Sequence, residues 1–227
     1  MLLRPHSFGP IAEKVRHDLT QAREPSLLYR PLLEVRFVSI DVETTGLAVN
    51  SDEIISYGAV AIEQGKIVWE SCTHQLFDPK RPIPPFITRL TGISNAMVQW
   101  QPAFIELLPQ IVASLRRTVL LGYCLHFDLA FINKKLRELC RQPLPHYRVD
   151  LRDVARSLYP GLPSYSLDSI LALFGLAGRY RRHSALGDAL AAAEVFLLRL
   201  EKLAAKGIGT LAELNAFLSC QNHVFPA

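Results

Sequence analysis

Apolar residues recur along this chain with two periods, and the change from one to the other divides it into a strand-rich and a helix-rich part. FVSIDV (37–42), IISYGAVAI (54–62) and KIVWESCTHQLF (66–77) are dense in β-branched and aromatic residues, with a turn at Gln64 and Gly65. That pattern predicts an antiparallel three-strand meander. The prolines of DPKRPIPP (78–85) end it, since proline cannot donate to a sheet ladder. Beyond them the spacing becomes helical in ITRLTGI (87–93), PAFIELLPQIVASLRR (102–117) and FDLAFINKKLRELC (127–140), the last with a basic outer face. VLLGY (119–123) reads as a short buried strand between two of these helices. SLDSILALFGL (166–176) predicts a further helix with Ser166 as its cap. SALGDALAAAEVFLLRLEKLAAKG (184–207) predicts one long helix closed by Gly207, and TLAELNAFL (210–218) a short terminal one. Ahead of the meander, residues 1–34 carry mixed charge with loose helical spacing, predicting a helical extension to a main domain at 35–227. A meander followed by helices alternating with strand predicts an α/β or α+β layer fold, with a mixed central sheet flanked by helices.

Composition narrows this picture. With 49% hydrophobic residues among 227, the chain can bury one full-sized core. No apolar run approaches the ~18 residues of a membrane-spanning helix, and MLLRPHSFGPIAEKVRHDL has too short an apolar run for a secretory signal. A cytoplasmic protein without a membrane partner is expected. Cys72, Cys124, Cys140 and Cys220 are scattered, which favours reduced structural thiols over a zinc site or a disulfide framework. The net charge of +4 is unevenly spread: Arg116 to Arg182 holds 12 Lys and Arg against 5 Asp and Glu, and the remainder 13 against 16. A basic middle third suits a polyanionic partner, although solvated helix faces produce the same count.

The candidate chemistry begins with Asp41 and Glu43, which interrupt the first strand. Two positions apart, their side chains leave one face while Ile40 and Val42 point the other way. Like charges so placed repel and burial adds a desolvation cost, so a cation must neutralise the pair or one carboxyl must be protonated. Hard divalent ions take carboxylate oxygens. The competing reading ends the strand at Asp41 and leaves both acids in water ahead of the turn-like TTG. Asp128 sits at the start of a helix after a buried strand, placed either to point over the sheet end or to cap the helix. Asp188 lies among Ala185, Ala189, Ala192 and Ala193 within the long helix, where an unpaired acid is costly and calls for a metal or an Arg partner. His183 precedes it by five residues; alone, such a histidine is ordinary surface or core.

DVETTGL, HFDLAFI and HSALGD, in that order, resemble the three motifs of the DnaQ-like (DEDD) 3′ to 5′ exonucleases, the superfamily of the proofreading epsilon subunit of DNA polymerase III, ribonuclease T and oligoribonuclease. ITRLTGISNAMVQWQPAF resembles the segment that follows the meander in that family, and the likeness runs from about Phe37 to Leu200. The resemblance implies a ribonuclease H-like fold and an enzyme hydrolysing phosphodiesters from the 3′ end of single-stranded nucleic acid. It implies that Asp41, Glu43, Asp128 and Asp188 hold two Mg²⁺ or Mn²⁺ ions, with His183 as general base. Two-metal chemistry has use for that many carboxylates. The Tyr-type subfamily places a tyrosine four residues before the last acid, where this chain has Ser184, so the chain is of the His type. Thr44, Thr45 and Leu47 fall where the family holds and wedges the terminal nucleotide. The family's usual His-Asn before the second motif is replaced by Tyr123 and Cys124, which bears on substrate binding and leaves the ligands intact. His126 is read as incidental, and Phe127 and Phe131, one turn apart, as core. DNA is the expected substrate, with RNA processing, a noncatalytic nucleic-acid-binding module and a small-ester phosphatase as alternatives. A DNA polymerase partner is implied by the same likeness, although no polymerase-binding tail is evident after Gly207.

Overall fold

The computed structural model describes residues 9–222; residues 1–8 of the predicted extension lie outside it, as does the side chain of Cys220. The meander forms as β1 (Phe37–Thr44), β2 (Ile54–Glu63) and β3 (Lys66–Leu76), with antiparallel pairing throughout. β4 (Val119–Gly122) and β5 (Arg148–Asp150) extend it in parallel on the other side of β1, giving a five-stranded sheet in the order β3-β2-β1-β4-β5. The mixed sheet follows from connectivity: a tight turn joins β2 to β3, whereas helices must carry the chain back to start β4 and β5 in parallel.

Alternation along β1 builds two cores. Val38, Ile40 and Val42 face α1 (Gly9–Thr20), α4 (Phe104–Ser114) and α5 (Leu125–Cys140). Phe37 and its neighbours Val60, Ile62, Val119 and Leu121 face α6 (Leu151–Leu158), α7 (Leu167–Leu173), α8 (Ala185–Leu197) and α10 (Leu211–Asn222). α2 (Pro85–Thr91) and α3 (Asn95–Val98) close a smaller cluster on Ile55 of β2. The first helix is part of this architecture: Val15 and Leu19 of α1 are buried in the α4–α5 core. Among the described residues no helix is long and apolar enough to cross a membrane.

Two features differ from the sequence expectation. The helix expected over 184–207 ends at Leu197 and restarts as α9 (Leu200–Ala204). The break falls where Arg199 lies 3.8 Å over the Phe174 ring and bonds the Tyr159 hydroxyl. β5 and α6 occupy a stretch between prolines that periodicity left unassigned.

The approach of α8 to the sheet positions the site. Gly58 of β2 stands beside Asp41 in the ladder, and a Cβ there would lie 2.2 Å from the backbone carbonyl carbon of Ala185 and the nitrogen of Leu186. Ser39 of β1 donates to the Ala189 carbonyl at 2.8 Å, fastening α8 from the second strand. Gly58→Ala must therefore push α8 off the sheet, at a cost of about 3 kcal/mol in denaturant unfolding. A loss below about 1 kcal/mol would contradict so close an approach.

Candidate active site

Asp41 and Glu43 leave β1 on the α8 side, in one row with Ser39, while Ile40 and Val42 are buried on the opposite face. The strand therefore continues through both acids, and the reading that ends it at Asp41 does not hold. Asp188 joins them from α8, and carboxylate oxygens of Asp41, Glu43 and Asp188 lie within 4.8 Å of one another. Its place is the first turn of α8, after the N-cap Ser184, and not the helix interior expected from sequence. An acid there is favoured by the helix dipole, and its Oδ2 accepts the His183 amide at 3.2 Å. The neighbouring Ala185, Ala189, Ala192 and Ala193 are buried, as small residues on a closely packed face should be.

Asp128 is buried in the first turn of α5 and is not one of that triplet. Its Oδ1 accepts the Val42 amide at 2.8 Å, which ties α5 to β1 between the two strand acids. The α5 N-terminus is in turn held by Asp150, a residue that sequence reasoning missed. Asp150 accepts the amides of Cys124 at 3.1 Å and Leu125 at 2.9 Å, and that of Arg152 at 2.9 Å, so one carboxylate caps both α5 and α6. Its signal was an acid directly before the amphipathic run LRDVARSL. Arg182, which contacts Asp188, and its partner Asp168 were also missed.

Burial dominates the electrostatics. It pushes Asp41 well above the usual carboxylate range, with the charges of Asp128 and Glu43 adding to the effect. Asp128 is likewise raised by burial, against the stabilising Val42 amide. Burial lifts Glu43 to about 7, opposed by the Arg182 guanidinium. Asp41 and Glu43, which resist ionising by themselves and have carboxylate oxygens within 4.8 Å of each other and of Asp188, are with it a fitting donor set for a hard divalent cation.

A pH dependence follows. Glu43 has an ordinary value of 4.5 and a folded value of about 7. The folded state holds the extra proton between those values, so its stabilising contribution is complete below pH 4.5 and is lost as pH rises through about 7. In EDTA the melting temperature should fall more steeply over this window for the wild type than for Glu43→Gln. Parallel curves for the two proteins would refute the assignment.

His183 sits at the corner entering α8 with φ +54°, a left-handed conformation outside the helix. It is partly exposed, and no described side chain hydrogen-bonds its imidazole. Thr44 and Thr45 are buried, and their hydroxyls are committed internally: Thr44 donates to the Gly46 carbonyl at 2.6 Å, and Thr45 to Asp52 at 2.8 Å. The Thr45 amide is committed too, to the Glu53 carbonyl at 2.9 Å, so the open side chain of this segment is Leu47, which is 81% exposed. Tyr123 donates to the Tyr165 carbonyl, Cys124 is a free thiol at the α5 N-cap, and His126 is exposed. Phe131 is buried in the core, and Phe127 packs on it at 5.0 Å between ring centroids.

The exonuclease family RNase_T matches residues 38–196, which contain every one of these positions. The chain is 39% identical over 187 residues to the PolC-type DNA polymerase III of Caldanaerobacter subterraneus, covering 82% of this chain and 13% of that protein. It is 37% identical over 185 residues to the DNA polymerase III epsilon subunit of Aquifex aeolicus, covering 81% of this chain and 90% of that one. The chain thus spans only about an eighth of the PolC-type relatives and nearly all of the epsilon subunit. Among solved structures it is similar to exonuclease X in complex with 5′ overhanging duplex DNA, with a TM-score of 0.59, 24% identity, and coverage of 81% of this chain and 99% of that one. It is similar also to E. coli exonuclease I in complex with a dA16 oligonucleotide, with a TM-score of 0.65, 19% identity, and coverage of 76% and 42%. The two structures share its ribonuclease H-like mixed sheet. With the motif acids gathered at one end of β1 and the match running across the sheet, the chain belongs to the DnaQ-like exonuclease family.

Proposed function

We propose that this chain is a metal-dependent 3′ to 5′ exonuclease that removes nucleotides from single-stranded DNA ends, as in proofreading or repair. The observation that carries the reading is the convergence of Asp41, Glu43 and Asp188 within 4.8 Å, with His183 at the head of the same helix as Asp188. Asp128, whose Oδ1 accepts the Val42 amide, would complete the set of residues that hold two Mg²⁺ or Mn²⁺ ions. Bound there, such ions supply an activated water and charge stabilisation at the leaving 3′ oxygen. His183 would accept the proton of the attacking water as general base. The turn that follows Thr44 and Thr45 receives the terminal nucleotide, and Leu47 wedges against its base. The basic residues between Arg116 and Arg182 attract the phosphate chain without reading sequence. The named relatives are a PolC-type DNA polymerase III and a DNA polymerase III epsilon subunit, so a DNA polymerase is the partner we propose.

Matched single strands of DNA and RNA, each 5′-labelled and incubated with Mn²⁺, test the substrate. DNA should be shortened about tenfold faster or more, the size expected when a site is built around one sugar and not the other. Faster loss of RNA would reassign the chain to RNA processing.

A further inference from the structure

Asp188 shares its Oδ1 with a cation that belongs to the chain. Arg182 donates to that oxygen from Nη1, and from Nε to Asp168 Oδ1 at 2.6 Å. One guanidinium thus bridges a proposed metal ligand at the head of α8 to an acid in the first turn of α7. The bridge is graded in exposure: the Asp188 side chain is 10% exposed, Arg182 23% and Asp168 65%. The same positive charge acts on Asp41 and Glu43, so it faces the whole cluster. Its position is fixed by backbone. A Cβ on Gly187 would lie 2.1 Å from the Arg181 carbonyl oxygen, so the strand of chain carrying Arg182 lies flat against the first turn of α8. A guanidinium cannot dissociate into solvent or lose its charge, and its planar fork suits two carboxylates at once. An N–H directed at Oδ1 occupies the lone-pair space that a divalent ion needs on that oxygen.

We propose that Arg182 is a tethered counter-cation that competes with divalent ions for Asp188, and that Asp168 anchors it in that position. Together the two residues set the metal concentration at which the site fills, and the inference rests on the metal-site reading above. Arg182 then acts as a positioning residue: it holds Asp188 in place while the acids are otherwise uncompensated, and it swings onto Asp168 alone when metal takes the oxygen.

The test is Mn²⁺ binding to the full chain without nucleic acid, followed by electron paramagnetic resonance of free Mn²⁺. Arg182→Gln should bind Mn²⁺ about tenfold more tightly, as expected when a charge-assisted hydrogen bond to a ligand oxygen no longer has to be broken. Arg182→Lys should show part of the gain, because it keeps the charge and loses the fork; this variant also serves if the glutamine protein does not fold. In an Asp168→Asn background the gain from Arg182→Gln should shrink to under about threefold, since neighbours in one network are not additive. Unchanged or weaker binding in Arg182→Gln, with Asp41→Asn abolishing it, would overturn the counter-cation while leaving the metal site intact. Undiminished binding in Asp41→Asn would instead overturn the metal-site reading. An equal gain with and without Asp168 would remove the anchor.

Discussion

Asp41→Asn is expected to reduce cleavage to about 10⁻³ of the wild-type rate or less, because several kcal/mol of transition-state stabilisation are lost with one ligand. Asparagine keeps the shape of the side chain, so the fold should survive. It should even gain. Asp41 lies on the central strand with Glu43 on the same face and Asp188 across from it, and burial with the charges of Asp128 and Glu43 raises its pKa well above the usual range. Removing one of these charges relieves repulsion that must otherwise be offset by protons or by a cation. In EDTA at pH 8 the variant should melt about 2–4 °C higher than the wild type, the shift expected for a gain of about 1 kcal/mol in a domain of this size. With Mn²⁺ the order should reverse, since only the wild type is stabilised by a ligand that binds the folded state. A variant that retains a tenth of the activity, or that melts lower than wild type in EDTA, would contradict this placement of Asp41.

His183→Asn is expected to slow cleavage by roughly 10² to 10⁴, the usual worth of a general base, with little change in Mn²⁺ affinity. Asparagine is the informative replacement. His183 has φ +54°, a conformation that asparagine tolerates and alanine adopts only with strain. The bond from its amide to Asp188 is a backbone contact and survives the substitution. Rate and affinity thereby separate: a fall in turnover at constant Mn²⁺ affinity marks a proton acceptor, and a parallel fall in both would make His183 a ligand instead.

The sequence was most legible where one period governed one face. The alternation of β1 placed Asp41 and Glu43 together and buried Ile40 and Val42 opposite, and the structure keeps that division. The alanines around Asp188 likewise marked a closely packed helix face; that the sheet is what packs there, with Gly58 against Ala185, is seen in the structure. Less legible was anything that depends on what two distant segments do to each other. Asp188 was read as a helix-interior acid from the alanines around it, although a helix entered at Ser184 puts it in the first turn; the Ser184 side chain makes no capping bond. Asp150 escaped notice because β5 is only 3 residues long, follows a loop with Pro143 and Pro145 and runs directly into α6, although its carboxylate organises the helix that carries Asp128. Arg182 was foreseeable only as a class, an arginine partner for Asp188. Which arginine, and that Asp168 would hold its other edge, follows from the packing of α7 beside α8.

The acids at the end of β1 are proposed to serve metal-dependent removal of nucleotides from a 3′ end, which dictates the products of digestion. A time course with single-stranded DNA labelled at its 5′ end, in Mn²⁺ and in EDTA, tests it most directly. The labelled strand should shorten one nucleotide at a time in Mn²⁺ and stay intact in EDTA. Early release of labelled mononucleotide, or cleavage that persists in EDTA, would contradict it.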